Sequence, residues 1–369
     1  MSFDALQLAV PAIARLRAYD TGPDKRAARA SDQPAAELGS NEHAFGPSPK
    51  AMIAMQDAML RAHRYPDPNG SVLKATLSTH YAIDPAMITL GNGSNELLYL
   101  LAECFAGPES SIVYSQYAFA VYAIATAAVG AKTIEVPALA REHASMPLGH
   151  DLNAMAAAIR PDTKLVFIAN PNNPTGGCFD DAALDRFLDA VSGHVLVVID
   201  EAYVDFVSPD IVRTAIDRSE RHPNLVVLRT FSKAHALAAL RIGYAVSHRS
   251  TAAVLARLRQ PFNANLLGLA AADAAFRDFD YFERSIGAIL GERDRLAKEL
   301  LERGHDVLPS QTNFLLVDFG DRASAVEDAL YRNGIIVRPM KAYGLPQMLR
   351  ISIGTCEECD RLLAALPER

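Results

Sequence analysis

Apolar runs bounded by turn residues alternate with segments of helical periodicity through the middle of the chain. Strands are plainest at residues 165–170, 195–200 and 224–231, where uninterrupted β-branched residues are typical of strands buried on both faces. Apolar residues recur at helical spacing at 152–159 and 182–191, as crossover helices require. This alternation predicts an α/β fold with a mostly parallel central sheet.

The pattern changes after Pro261. A long stretch rich in Ala, Leu, Arg and Glu runs to Arg303. Three short predicted strands follow, at residues 312–319, 334–340 and 349–354. We therefore predict a large domain over residues 46–260, and a smaller α+β domain formed by the N-terminal arm, 1–45, together with 261–369. A chain of 369 residues has room for two such lobes, and the crevice between them favours ligand binding.

Charge and segment lengths exclude several classes of function. The net charge of −7 argues against a nucleic-acid or anionic-membrane partner, because such proteins usually carry a basic stripe. The longest nearly apolar stretch, residues 119–131, is shorter than the roughly 18 residues that span a bilayer. No basic segment precedes the apolar stretch at the N-terminus, so no secretory signal is predicted. Four cysteines are too sparse for a disulfide framework, and Cys356 and Cys359 lack a second ligand pair for a metal. A soluble cytoplasmic protein is expected.

Lys233 is the first candidate for chemistry. It directly follows the third predicted strand in the string RTFSKAHALAALRIGY, where a strand end would open into the crevice. A Lys amine there can attack an aldehyde once it is deprotonated, which neighbouring positive charge and partial desolvation favour. Arg241 could supply that charge and bind a phosphate oxygen bidentately, and Ser232 adds a hydroxyl donor. Taken alone, the string would also fit a surface Lys at a helix start.

Asp200 and two nearby groups would complete a site for a flat heterocycle. Asp200 ends the most apolar strand, a position where a carboxylate needs a cationic partner or a functional reason. Under a pyridine ring it would keep the ring nitrogen protonated, which turns the ring into an electron sink. Tyr203 and Asn173, the latter in the rigid string ANPNNPTGG, could bond the ring's phenolic oxygen. The alternative for Asp200 is an Asx turn that ends the strand.

The string ITLGNGSNELLYLL predicts a strand, a Gly-rich turn and a helix. The amides of Ser94 and Asn95 would lie at the helix N-terminus, where backbone donors and the helix dipole favour a phosphate. Glu96 at the third glycine position weakens a dinucleotide fingerprint, and the GK[ST] of a P-loop is absent from this string. One phosphate is therefore predicted. Phe119 is the candidate aromatic that stacks on the cofactor ring.

The motifs NPNNPTG, IDEAY, FSK and LRIG, in this order, resemble fold-type I pyridoxal-phosphate aminotransferases of class I/II. That resemblance covers nearly the whole chain. A narrower similarity, to the histidinol-phosphate aminotransferase family, is carried by SNEHAFGPSP, RYPDPNG, GNGSNE, RQPFNAN, QTNFLL and LRISIG. The resemblance implies that Lys233 forms a Schiff base with pyridoxal 5′-phosphate and moves a proton between the substrate's Cα and C4′ of the cofactor. The other cofactor-binding residues it implies are Ser94, Asn95, Asn173, Asp200, Tyr203, Ser232 and Arg241, beside the candidate stacking residue Phe119. Tyr65 would reach the phosphate in the neighbouring subunit, so a homodimer is implied.

The same resemblance implies the substrates. Arg350, with Arg338 helping and Asn41 nearby, would bind the α-carboxylate of glutamate and the phosphate of histidinol phosphate, in a transamination with 2-oxoglutarate that belongs to histidine biosynthesis. Two departures from the family pattern are His43-Ala44, which puts the choice of amino donor in question, and Ala239, which should only tighten packing. An aromatic-amino-acid aminotransferase is the close alternative. A threonine-phosphate decarboxylase and a cofactor-binding regulator are more distant ones.

Overall fold

The computed structural model of the protein describes residues 3, 5–14, 16 and 34–367. Residues 1–2, 4, 15, 17–33 and 368–369, all of which belong to the predicted smaller domain, lie outside the described residues. The helices are α1 Pro11–Ala14, α2 Pro49–Met59, α3 Ser71–Tyr81, α4 Gly93–Phe105, α5 Val121–Ala128, α6 Leu152–Ala157, α7 Asp181–Ala190, α8 Arg249–Leu258, α9 Leu266–Phe276, α10 Phe279–Glu302, α11 Ala323–Arg332 and α12 Cys356–Ala365. The strands are β1 Ala36–Glu37, β2 Ile88–Gly91, β3 Ser111–Ser115, β4 Lys132–Val136, β5 Thr163–Ala169, β6 Leu196–Asp200, β7 Leu225–Thr230, β8 Gly243–Ser247, β9 Asp306–Val307, β10 Phe314–Asp318, β11 Ile335–Ile336, β12 Arg338–Pro339 and β13 Met348–Ser352.

Seven strands form the large sheet, in the order β2-β8-β7-β6-β5-β3-β4. All neighbouring pairs are parallel except the two that involve β8. The predicted mostly parallel α/β fold is therefore confirmed. Parallel strands present their carboxyl ends at one edge, so β5, β6 and β7 bring Ala169, Asp200 and Thr230 to the same side of the sheet.

Helices cover both faces of this sheet, as the uninterrupted apolar runs predict. Side chains alternate along β5, so that Val166 and Ile168 join one buried cluster while Leu165 and Phe167 join another. The predicted strands at 165–170, 195–200 and 224–231 match β5, β6 and β7, and the two predicted crossover helices match α6 and α7.

The C-terminal part contains a four-stranded sheet in the order β12-β13-β10-β9 with its own apolar cluster. The predicted strand at 334–340 is instead two short ones. β11 pairs with β1, whereas β12 pairs with β13, and Pro339 has no N–H with which to extend the ladder. The division into domains at residues 45 and 260 stays a prediction. α9, which follows that boundary, contributes Ala271 and Phe276 to the cluster beneath the large sheet.

None of the helices in the described part of the chain combines the length and the apolar character needed to cross a bilayer. The predicted helical stretch that ends at Arg303 is two helices, α9 and α10, separated at Arg277 and Asp278. α10 begins directly after Asp278, whose carboxylate pairs with Lys50 at 3.0 Å.

Candidate active site

A cavity of about 380 Å³ lies at the carboxyl ends of β5, β6 and β7, between the large sheet and the four-stranded sheet. It collects twelve of the thirteen residues that the sequence predicts for the site. These are Asn41, Ser94, Asn95, Phe119, Asn173, Asp200, Tyr203, Ser232, Lys233, Arg241, Arg338 and Arg350. The thirteenth, Tyr65, lies outside the cavity. Residues that are far apart in the chain therefore share one crevice, at the edge of the sheet where ligands bind in open α/β folds.

Lys233 lies three residues beyond the end of β7 and points into the cavity. Its Nζ donates to the backbone carbonyls of Ser40 and Asn41, each at 3.0 Å. Burial lowers the pKa of Lys233 to about 7, and the nearby charges of Arg350 and Arg241 act in the same direction. A large part of the amine is therefore neutral near pH 7, which gives it the lone pair that a nucleophile or a base needs.

Asp200 ends β6 with its carboxylate at the cavity wall. The hydroxyl of Tyr122 donates to Oδ2 at 3.1 Å, and the Ala202 N–H donates to Oδ1 at 3.1 Å. Burial raises the pKa of Asp200 to about 6, while these two hydrogen bonds act against that rise. Near neutral pH the carboxylate is mostly ionised, so it can bind a cationic partner in the cavity.

One end of the cavity is a cradle of hydrogen-bond donors. Ser94 and Asn95 lie in the first turn of α4, and Arg241 donates from Nη1 to Ser232 Oγ at 3.2 Å. Gly93 has φ +77°, and a Cβ there would lie 2.3 Å from Nη2 of Arg241. A larger residue at this position would therefore strain the backbone and require the guanidinium to move from its place beside the helix N-terminus. The donors, the helix dipole and the cation together suit a phosphate.

The cavity is also lined by two arginines from neighbouring strands. Arg338 on β12 and Arg350 on β13 are register partners, and their residues are 9% and 7% exposed. Arg350 donates from Nη1 to Asn173 Oδ1 at 2.6 Å. The Asn173 side chain is thereby oriented so that its other end, the amide nitrogen, can act as a hydrogen-bond donor. Asn41 donates to the Tyr203 hydroxyl at 2.8 Å. Burial raises the pKa of Tyr203 to about 12, so its hydroxyl keeps its proton at neutral pH.

Tyr65 and His43 are not among the residues that line the cavity. Tyr65 is 83% exposed and stacks on Phe262, with the ring centroids 4.6 Å apart. His43 is not among the cavity-lining residues; burial lowers its pKa to about 4, and the Phe45 N–H donates to its Nδ1 at 3.2 Å. The predicted effect of His43 on the choice of amino donor stays a prediction.

The family model described as aminotransferase class I and II matches residues 34–366, which is most of the chain. The chain belongs to the class I and II aminotransferases. The match spans every cavity-lining residue, from Gly39 to Arg350. It confirms the resemblance that the sequence motifs carry.

Individual aminotransferases are similar over almost their full length. A histidinol-phosphate aminotransferase 2 from Pseudomonas aeruginosa is 47% identical over 367 residues, covering 98% of this chain and 98% of that protein. A histidinol-phosphate aminotransferase 2 from Pseudomonas fluorescens is 46% identical, with 99% and 98% covered. The crystal structure of histidinol-phosphate aminotransferase from Sinorhizobium meliloti, in complex with pyridoxal-5′-phosphate, has a TM-score of 0.87 at 32% identity, with 98% and 96% covered.

Sequence reasoning missed Tyr122, whose hydroxyl reaches the Asp200 carboxylate of this aminotransferase. A signal was available, because Tyr122 comes three residues after Phe119 and residues at that spacing share one face of a helical turn.

Proposed function

We propose that this aminotransferase uses pyridoxal 5′-phosphate to exchange amino groups between histidinol phosphate and 2-oxoglutarate, in the cytoplasm and as a homodimer. One observation carries the proposal. The Lys233 amine, the Asp200 carboxylate and the Asn173 amide come from the ends of three adjacent strands and line a single cavity. An amine, an anion and an amide donor around one space are what a pyridine aldehyde with a phenolic oxygen requires.

The residues of the cavity fit this cofactor. Backbone amides, Ser232 and Arg241 form the donor cradle that would hold its phosphate, and the glycine at position 93 keeps that cradle open. Gly243 has a similar role, since a Cβ there would lie 2.5 Å from the Ser94 nitrogen. Phe119 lines the same cavity and offers a flat surface for the ring.

When bound, the cofactor supplies an aldehyde that takes up an amino group and a ring that withdraws electrons from the substrate's Cα. The chain's own residues control the protons. Lys233, with its pKa near 7, can take the proton from Cα and return it. Asp200 would hold the proton on the ring nitrogen. Tyr203 and Asn173 would donate hydrogen bonds to the phenolic oxygen.

Arg350 and Arg338 explain how one site can serve two substrates. Their guanidinium groups come from directly paired residues of adjacent strands and line the same wall of the cavity. The planar guanidinium group of arginine can bind two oxygens of a carboxylate or of a phosphate, so the same pair of arginines can hold glutamate and histidinol phosphate. Both arginines are buried, which strengthens these charge-assisted hydrogen bonds.

A substrate comparison tests the proposal. The purified enzyme, loaded with pyridoxamine 5′-phosphate, is offered imidazole-acetol phosphate, phenylpyruvate and other oxo acids in parallel, and kcat/KM is measured for each. The highest value is expected for imidazole-acetol phosphate. Preference for phenylpyruvate would instead identify an aromatic aminotransferase, and release of carbon dioxide from threonine phosphate would identify a decarboxylase.

The exposed ring of Tyr65 supports the dimer. Its side chain is 83% exposed and stacked on Phe262, so its ring is accessible to a second subunit. Under this proposal Tyr65 reaches the phosphate in the partner subunit's site. Sedimentation of a fully active monomer would exclude the assignment of Tyr65.

Under the same proposal, residues 46–260 would form the cofactor-binding domain, and the N-terminal arm, 1–45, together with 261–369 would form the smaller domain.

A further inference from the structure

Tyr122 is a buried side chain that contacts two parts of the proposed cofactor site without lining the cavity. Its hydroxyl lies 3.1 Å from Asp200 Oδ2, and its ring meets the ring of Phe119 edge to face with the centroids 5.9 Å apart. The ring also stacks on Phe167 of β5, at 5.1 Å between centroids. Tyr122 is 0% exposed, so this arrangement is fixed by packing.

The direction of the hydrogen bond follows from burial. Burial, reinforced by the charge of Asp200, raises the pKa of Tyr122 well above 10, so the phenol keeps its proton and is the donor. The Ala202 N–H donates to the other carboxylate oxygen at 3.1 Å. Each oxygen of Asp200 therefore has one donor from the protein, and the carboxylate is held in a single orientation at the cavity wall.

We propose that Tyr122 is a positioning residue, whose hydroxyl keeps the Asp200 carboxylate ionised and aimed at the cationic ring nitrogen of the cofactor. The inference rests on the proposed pyridoxal-phosphate function. Phe119 and Tyr122 lie one helical turn apart, and the Tyr122 N–H donates to the Phe119 carbonyl at 2.9 Å. One short segment therefore sets both the ring-stacking surface and the charge that faces the ring nitrogen.

Other charged groups near Asp200 do not replace this donor. Glu201 follows it in the chain, but its carboxylate is an acceptor and is paired with Arg229 at 3.2 Å. Tyr203 and Tyr343 also interact electrostatically with Tyr122, and Lys233, Arg241, Arg338 and Arg350 line the same cavity as Asp200. Of these, the cations line the cavity itself, where the cofactor and the substrate would meet them.

The test measures binding of pyridoxamine 5′-phosphate, which needs no bond to Lys233. Its dissociation constant is measured by equilibrium dialysis from pH 5 to pH 9 for the wild type and for Tyr122→Phe. Loss of one hydrogen bond to a charged group should weaken binding about tenfold near neutral pH. Affinity is lost as Asp200 gains a proton, and removal of a donor raises the pKa of Asp200. The acid limb of the curve should therefore move to higher pH.

Tyr114→Phe is the matched control. Tyr114 is also buried, on β3, and its hydroxyl lies 3.5 Å from Thr133 rather than near Asp200. This variant should reproduce any general effect of a lost phenol on the melting temperature and leave the dissociation constant and its pH dependence as in the wild type. Equal curves for Tyr122→Phe and the wild type would overturn the inference.

A second measurement separates positioning from general packing. In an Asp200→Asn background the hydroxyl has no carboxylate to hold, so adding Tyr122→Phe should change binding much less than it does in the wild type. Equal effects in the two backgrounds would refute a role through Asp200. If the wild type did not bind the probe at all, the proposed function itself would fail, which is a different result from equal binding by both proteins.

Discussion

Replacement of Lys233 by methionine should make the cofactor-free protein more stable at acid pH, and this gain should vanish as the pH rises. Burial and the neighbouring arginines lower the pKa of Lys233 from 10.5 to about 7. The unfolded chain keeps the higher value, so between about pH 7 and pH 10.5 it binds more protons than the folded chain. The free energy of unfolding of the wild type therefore increases with pH across this window. Below pH 7 it is reduced by the full cost of the buried ammonium.

The size of the effect follows from the same pKa values. A fall from 10.5 to about 7, at about 1.4 kcal/mol for each tenfold change in proton affinity, is a penalty of about 4–5 kcal/mol below pH 7. Methionine also loses the two hydrogen bonds to the carbonyls of Ser40 and Asn41, which costs about 2 kcal/mol in total. Lys233→Met should thus be about 2–3 kcal/mol more stable near pH 6, and slightly less stable than the wild type near pH 10.

Urea unfolding of the cofactor-free proteins, followed by circular dichroism at fixed protein concentration, measures this difference at pH 6, 8 and 10. Lys164→Met is the control, because Lys164 is exposed and its replacement should shift stability little at any pH. A stability difference between Lys233→Met and the wild type that stays constant from pH 6 to pH 10 would refute the reasoning. The same burial that destabilises the ammonium provides the neutral amine that the proposed chemistry requires.

Three further perturbations address other parts of the site. Gly93→Ala should displace the Arg241 guanidinium, because the new Cβ would lie 2.3 Å from Nη2. It should weaken binding of pyridoxamine 5′-phosphate about tenfold or more, as measured by equilibrium dialysis. The control is Gly193→Ala, where no atom lies within 4 Å of a new Cβ, and equal binding by the two variants would contradict the expectation. Asp200→Asn should lower kcat/KM by roughly a hundredfold or more, the scale for loss of a preorganised charge, and near-normal steady-state turnover would exclude the role given to Asp200. Tyr65→Ala and Lys233→Met should complement each other in mixed dimers, since one of the two sites then has both residues; activity that does not rise when the two variants are co-expressed would show that Tyr65 does not act across the interface.

The sheet and its functional edge are predictable from the sequence for a definite physical reason. β5, β6 and β7 are buried on both faces, so the sequence of each contains an unbroken apolar run, and the first polar residue after the run marks where it ends. Asp200 and Lys233 follow such runs directly or within three residues. Because parallel strands share one edge for their carboxyl ends, the sequence alone predicts that these residues meet.

The strand order is not predictable in the same way. β8 is inserted between β2 and β7 and is antiparallel to both, although its own apolar pattern resembles that of the other central strands. An apolar run indicates that both faces of a strand are buried, but it does not indicate which neighbouring strand forms the backbone hydrogen bonds with it. That choice depends on how the connections cross the sheet. The position of Gly243 against the Ser94 nitrogen follows from this order.

Contacts between side chains distant in the chain escape sequence analysis for a related reason. Asn41 donates to Tyr203, 162 positions away, and Tyr122 donates to Asp200, 78 positions away. Each residue taken alone fits an ordinary local role, a loop amide in one case and an apolar helix face in the other. Their chemistry arises only when the fold removes water from around them, because a buried donor must find an acceptor and a buried carboxylate must find donors. Asp200 shows the consequence: the Tyr122 hydroxyl, from another element, is one of two donors that lower the pKa of this buried carboxylate, and the motif around Asp200 does not contain it.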